Sequence, residues 1–123
     1  MADRNTPRRN GEFLVLSPAA DTTIYAGTIA AINSSGELVP AADTTDLKVV
    51  GRAENYSAEG EDVKVRKGVF GFANDGSISK SNIEDDCYIV DEVTVGLAAS
   101  VTNSITAGKI FDVEDDQVWV KFD

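Results

Sequence analysis

Apolar and polar residues alternate in short runs along this chain, and the clearest run is the last. Val118, Val120 and Phe122 alternate with Gln117, Trp119 and Lys121. A period of two sets the first three on one face of a sheet and the other three on the opposite face. Ahead of them, Ala107 to Val113 reads as a second strand, and Glu114-Asp115-Asp116 as the tight acidic turn between the two. These acids are poor strand formers, and an Asp carboxylate can bond its own backbone in a turn. The same grammar runs upstream. Phe13 to Ser17 is a strand closed by Pro18. Thr22 to Tyr25 and Thr28 to Ile32 read as a strand pair, or one strand bent at Gly27. Asn33-Ser34-Ser35-Gly36 is a turn, and Glu37-Leu38-Val39 completes a hairpin.

The middle of the chain continues in kind. Leu47 to Tyr56 is a long extended segment with a bulge predicted at Gly51. Val63 and Val65 point to the core and Lys64 and Arg66 away from it. Val69 to Ala73 follows Gly68, and Asn74-Asp75-Gly76 turns the chain. Ser81-Asn82-Ile83-Glu84 has capping-box spacing and predicts one helical turn through Asp86. Cys87 to Val90 and Val93 to Leu97 flank Asp91-Glu92, and Ala98 to Thr106 is a polar connection to the last hairpin. About nine short strands with turn signals every 8–12 residues predict a mainly β fold. The expected body is a small barrel-like or sandwich-like domain with at most one or two short helical turns. The 10 glycines and 3 prolines suit its turns, and 42 % hydrophobic content over 123 residues suffices for one core.

Charge changes the picture. The formal charge is −10, from 21 acidic and 11 basic residues. A phosphate binder needs a basic surface, so no nucleic-acid partner is expected, and no anionic membrane partner either. The charge is uneven. The first twelve residues hold Arg4, Arg8 and Arg9 against Asp3 and Glu12, whereas the chain after Phe13 carries eight basic and nineteen acidic residues. Residues 1–12 have no aliphatic residue beyond Met1 and Ala2 and cannot build a core. The chain therefore divides into a flexible N-terminal arm, 1–12, and a single β-rich domain, 13–123. Phe13 to Leu16 is too short for a signal-peptide core, so synthesis in the cytosol is expected. Without a secretory route, the triplets Asn33-Ser34-Ser35 and Asn55-Tyr56-Ser57 are not read as glycosylation sites.

Little in the sequence suggests chemistry. It has no histidine, which excludes Ser-His and Cys-His nucleophiles and His-based metal sites. The single cysteine, Cys87, allows no internal disulfide and reads as a small buried residue. Glu84-Asp85-Asp86, Asp91-Glu92 and Glu114-Asp115-Asp116 lack the alternating ligand spacing of a calcium loop. They sit in turns, without an apolar shell to raise a carboxyl pKa. No catalytic, cofactor or metal residue is assigned. Trp119 stands out, because it falls on the polar face of the last strand. A tryptophan there is either an anchor for another subunit or part of a second buried face, a subunit or core contact.

The segments Asp86-Cys87-Tyr88-Ile89-Val90-Asp91-Glu92-Val93-Thr94-Val95 and Ala107-Gly108-Lys109 through Glu114-Asp115-Asp116-Gln117-Val118-Trp119-Val120 carry a resemblance. They resemble the C-terminal half of the capsid cement, or head decoration, proteins of tailed bacteriophages, lambda-type members included. Ala26-Gly27-Thr28 and Val65 to Phe72 are similar to that family's central β region, so the likeness spans roughly 13–122. The resemblance implies a non-enzymatic structural protein on the outer surface of the mature head, stabilising it against the pressure of packaged DNA. It implies a homotrimer, the major capsid protein as partner, and an N-terminal arm that orders on the capsid. Arg4, Arg8 and Arg9 are the residues expected to contact capsid carboxylates.

Two other classes fit the same residues. A β-rich phage tail or host-surface binding module would display an aromatic cluster, with Tyr25, Tyr56, Tyr88 and the Phe70/Phe72 pair as candidates. A small carboxylate-dependent hydrolase would need a convergent Asp/Glu pair in a deep pocket.

Overall fold

The computed structural model describes residues 11–123, and they are mainly β. The strands are β1 (Phe13–Leu16), β2 (Ile29–Ile32), β3 (Leu38–Pro40), β4 (Lys48–Ala53) and β5 (Val63–Arg66), then β6 (Gly68–Asn74), β7 (Asp86–Ile89), β8 (Thr94–Gly96), β9 (Thr106–Glu114) and β10 (Gln117–Phe122). Among the described residues the helical content is two lone 3₁₀ turns, Lys80–Asn82 and Ala98–Ser100. The strands fall into two consecutive sets. β1 to β5 form one sheet in the order β1-β5-β4-β2-β3, and β6 to β10 close into a barrel in the order β10-β6-β8-β7-β9. The chain passes from sheet to barrel once, at Lys67-Gly68. Every strand pair is antiparallel except β6 with β8.

The sheet is covered on both faces where β2 crosses it. Ile29 and Ala31 join the core that fills the barrel, with Phe72, Ile89, Val95, Ile110, Val118 and Val120. Ala30 packs with Ile24, Leu38, Ala53, Val63 and Val65, against which Leu14, Leu16 and Ile32 lean. A strand buried on both faces reads as a continuous apolar run, which is why Ile29-Ala30-Ala31-Ile32 shows no alternation. The sheet also curls around its own cluster. Beyond β1, the Ser17 carbonyl accepts from Leu38 N and Ala19 N donates to the Leu38 carbonyl, both at 2.9 Å, so the chain after β1 comes round to β3. The strand expected at Thr22 to Tyr25 does not form. Ile24 makes one bridge to Ser57, because Asp21 (φ 58°) and Gly27 (φ 84°) turn the chain on either side of it.

In the barrel, β10 keeps strict alternation, with Val118, Val120 and Phe122 buried as expected. β9 does not. Its inward residues Ala107, Ile110 and Val113 are three apart, a spacing closer to a helix than to a strand. Two bulges cause this. The register skips Ala107 opposite β7 and Phe111 opposite β10. Each extra residue resets the alternation and tightens the curl that closure needs. Gly108 sits where a Cβ would lie 2.4 Å from the Lys121 carbonyl oxygen, so β10 can pass only over a glycine. Phe72 and Phe122 meet edge to face at 5.8 Å inside the barrel.

Polar contacts bind the halves as well. The Asp43 carboxylate accepts from the backbone N–H groups of Thr102 and Asn103, both at 2.8 Å. Those two bonds hold its pKa below the ordinary value. Ile29 N donates to the Glu92 carbonyl at 2.7 Å. The capping pattern lies two residues before its expected place. Ser79 N donates to Asn82 Oδ1 at 2.9 Å, and Glu84 takes φ 78°, which no helix interior allows.

Gly51 is the glycine of the predicted bulge, at the register shift between β2 and β4. It has φ 146°, and a Cβ there would lie 2.6 Å from the Arg66 carbonyl oxygen. Gly51→Ala is expected to lower the unfolding free energy by about 1–3 kcal/mol in urea titration. Gly11→Ala, where nothing lies within 4 Å, should leave the midpoint unchanged.

Candidate functional site

The barrel core is built of aliphatic and aromatic side chains and one thiol. Cys87 is fully buried on β7, its Sγ 3.5 Å from the Gly108 carbonyl. Burial pushes the thiol up to about 12, which keeps it protonated and unreactive. Among the described residues, no three His, Cys, Asp or Glu side chains converge as a metal site. Of the acidic clusters, Glu84 to Asp86 and Glu114 to Asp116 are exposed and Asp91 and Glu92 are half-buried, and Asp115, at φ 50°, makes the turn of the β9–β10 hairpin. Asp112 is held below its ordinary value first by the Val113 N–H and then by Lys80, a local backbone arrangement. An open groove lies beside that hairpin, lined by Gly27, Gly71, Ala73, Glu114, Asp115 and Asp116. Its acids stand side by side on one turn and do not face one another across it.

The surface is more distinctive. β1 turns Leu14 and Leu16 inward and leaves Phe13 and Val15 exposed, Val15 at 54 %. Its partner β5 sets Lys64 over the Phe13 ring at 4.0 Å, with the Arg66 guanidinium 5.7 Å from the same ring. Glu54 takes both Arg52 and Arg66, and Glu12 lies 3.8 Å from Arg66. Arg52 also covers the Phe70 ring at 4.9 Å. Lys64 and Arg66 thus stand with Phe13 and Val15 on one face that is basic and apolar.

A second apolar face lies on the outside of the barrel. Trp119 on β10 is half-buried there between Val69 of β6 and Phe111 of β9, with Asp112 and Glu114 beside them. It is opposite the buried Val118, Val120 and Phe122 and outside the core clusters. Its indole Nε1 is covered and has no hydrogen-bond partner among the described residues. A third feature is Tyr25 and Tyr56, which meet at 5.5 Å with 60 % and 56 % of their surfaces exposed. Phe70 and Phe72, in contrast, pack against Phe122 in the barrel.

The arginines expected at a capsid contact, Arg4, Arg8 and Arg9, lie outside the described residues. Glu12, assigned to the arm, is tied to the sheet: its carbonyl accepts from Lys67 N at 2.6 Å. The sequence reading placed Trp119 on the outward face but missed Phe111, since strict alternation through β9 fails at its bulges. It also missed the Phe13–Lys64–Arg66 group. The concentration of basic residues in 48–67 was the available signal.

Cys87 offers a direct check on the closed barrel. It should not react with Ellman's reagent at neutral pH until guanidinium unfolds the chain. Because its folded pKa is raised, its contribution is complete below the unfolded value near 9.0 and is lost as pH climbs toward about 12. Over that window the wild type should lose stability more steeply than Cys87→Ala. No protein-family model, curated protein or solved structure matches this chain.

Proposed function

We propose that the protein is a non-enzymatic capsid cement, or decoration, protein of a tailed bacteriophage. In this reading it binds as a homotrimer to the major capsid protein on the outer surface of the mature head and braces that head against internal DNA pressure. The observation that carries the reading is the combination of a sealed all-β body with a basic segment leading into an edge strand. β1 is the last strand of its sheet, and over Phe13–Leu16 its second side has no ladder partner among the described residues, since the chain meets β3 only beyond it, at Pro18 and Leu38. The segment carrying Arg4, Arg8 and Arg9 runs directly into it. Strand addition at such an edge supplies backbone hydrogen bonds. These offset an ordering cost of roughly 1–2 kcal/mol per residue. Three arms on one trimer would turn modest single contacts into firm attachment. The acidic body limits association elsewhere.

The exposed Tyr25–Tyr56 pair favours a second reading, a tail or host-surface binding module, because two adjacent exposed rings offer apolar contact area to a ligand. Glycan-array binding that disappears in Tyr25→Ala would support it over the first.

Removal of residues 1–10 tests the cement reading while keeping Glu12 on the sheet. The truncated protein should melt like the full chain and lose most of its co-sedimentation with expanded phage heads. The triple change of Arg4, Arg8 and Arg9 to Ala should weaken attachment in the same direction. Unchanged co-sedimentation of both variants would remove the arm from the account.

A further inference from the structure

We propose that the two apolar faces described above are the two sides of one self-association contact. The β1–β5 face of one copy receives the outer barrel face of the next. The inference rests on the trimer reading and adds the surfaces that build it. The first face offers Phe13 and Val15 beside Lys64. The second offers Val69, Phe111 and Trp119 beside Glu114. Their charges are complementary. Neither Lys64 nor Glu114 makes an ion pair among the described residues, whereas Arg52 and Arg66 are already engaged by Glu54. Lys121, paired with Val69 in the register, stands at the opposite end of the second face from Glu114, which pairs with Gln117 next to the hairpin turn.

Self-repulsion explains why the occupant must match in charge. A molecule at −10 resists meeting another copy unless the contact neutralises charge locally. Lys64 against Glu114 does this at the rim, with the aromatic residues excluding water at the centre. The two faces lie on different halves of the molecule, so the contact is head-to-tail, and a head-to-tail contact closes into a ring when its rotation permits.

Sedimentation equilibrium over a concentration series tests this, with Trp119 fluorescence as a second readout, since it is the sole tryptophan. The wild type should associate, with an emission change that follows assembly. Lys64→Glu and Glu114→Lys should each weaken association about tenfold or more at low salt, and the double variant should recover most of the loss. Phe111→Ser should weaken it without a charge change. Protection of Cys87 from Ellman's reagent verifies that each variant is folded. A wild-type oligomer unaffected by all the single changes would overturn the surface assignment and leave the trimer reading standing. A wild type that stays monomeric throughout would overturn both.

Discussion

The fold depends on one strand having no exposed face. Ile29 and Ala31 are buried toward the barrel, and Ala30 toward the cluster of the first sheet. This four-residue strand is the wall shared by two hydrophobic clusters, and its two alanines keep the wall thin enough for both. Each half of the chain has five strands. A half of this size buries little apolar surface alone, so sharing a core is what makes the pair stable. The remaining links reinforce the seam. Asp43 clamps the loop before β9, Ile29 bonds to Glu92, and Arg52 covers Phe70 of β6. Partly exposed ion pairs such as those around Glu54 add little energy by themselves. Their effect is to tie β4 to β5 beside the face carrying Phe13.

That architecture separates a quiet interior from a differentiated exterior. The barrel is filled with aliphatic and aromatic side chains, and its one thiol is held neutral. The outside shows an apolar and basic face on the first half, an apolar and acidic face on the second, and a tyrosine pair. A rigid body with several distinct outer faces suits a protein that makes simultaneous contacts with large neighbours. The proposed place on a phage head asks for that, and for an attachment segment that leads into an open sheet edge.

Much of the fold was legible because alternation is local. Val118, Val120 and Phe122 were placed correctly against Trp119 from the six neighbouring letters Gln117 to Phe122, and Gly51 was correctly expected at a bulge. What failed was what depends on a partner strand. The three-residue spacing of Ala107, Ile110 and Val113 makes sense only once β7 and β10 are seen to skip Ala107 and Phe111. Thr22 to Tyr25 has strand-forming residues, yet the turns at Asp21 and Gly27 leave it a single bridge. The split into a sheet and a closed barrel is carried by long-range pairing that no short window contains. Candidate surfaces were harder still. Trp119 announced itself by breaking a polar pattern, whereas Phe13, Lys64 and Arg66 come from strands far apart in sequence and meet only through register.

The proposed role is mechanical: stabilising a larger shell by binding it. Calorimetry of expanded, DNA-filled heads stripped of decoration, titrated with the purified protein, measures that bracing. In the proposed role, the temperature at which heads release DNA rises with added protein and saturates at a fixed ratio of protein to capsid subunits. A release temperature unmoved at saturating protein would contradict it.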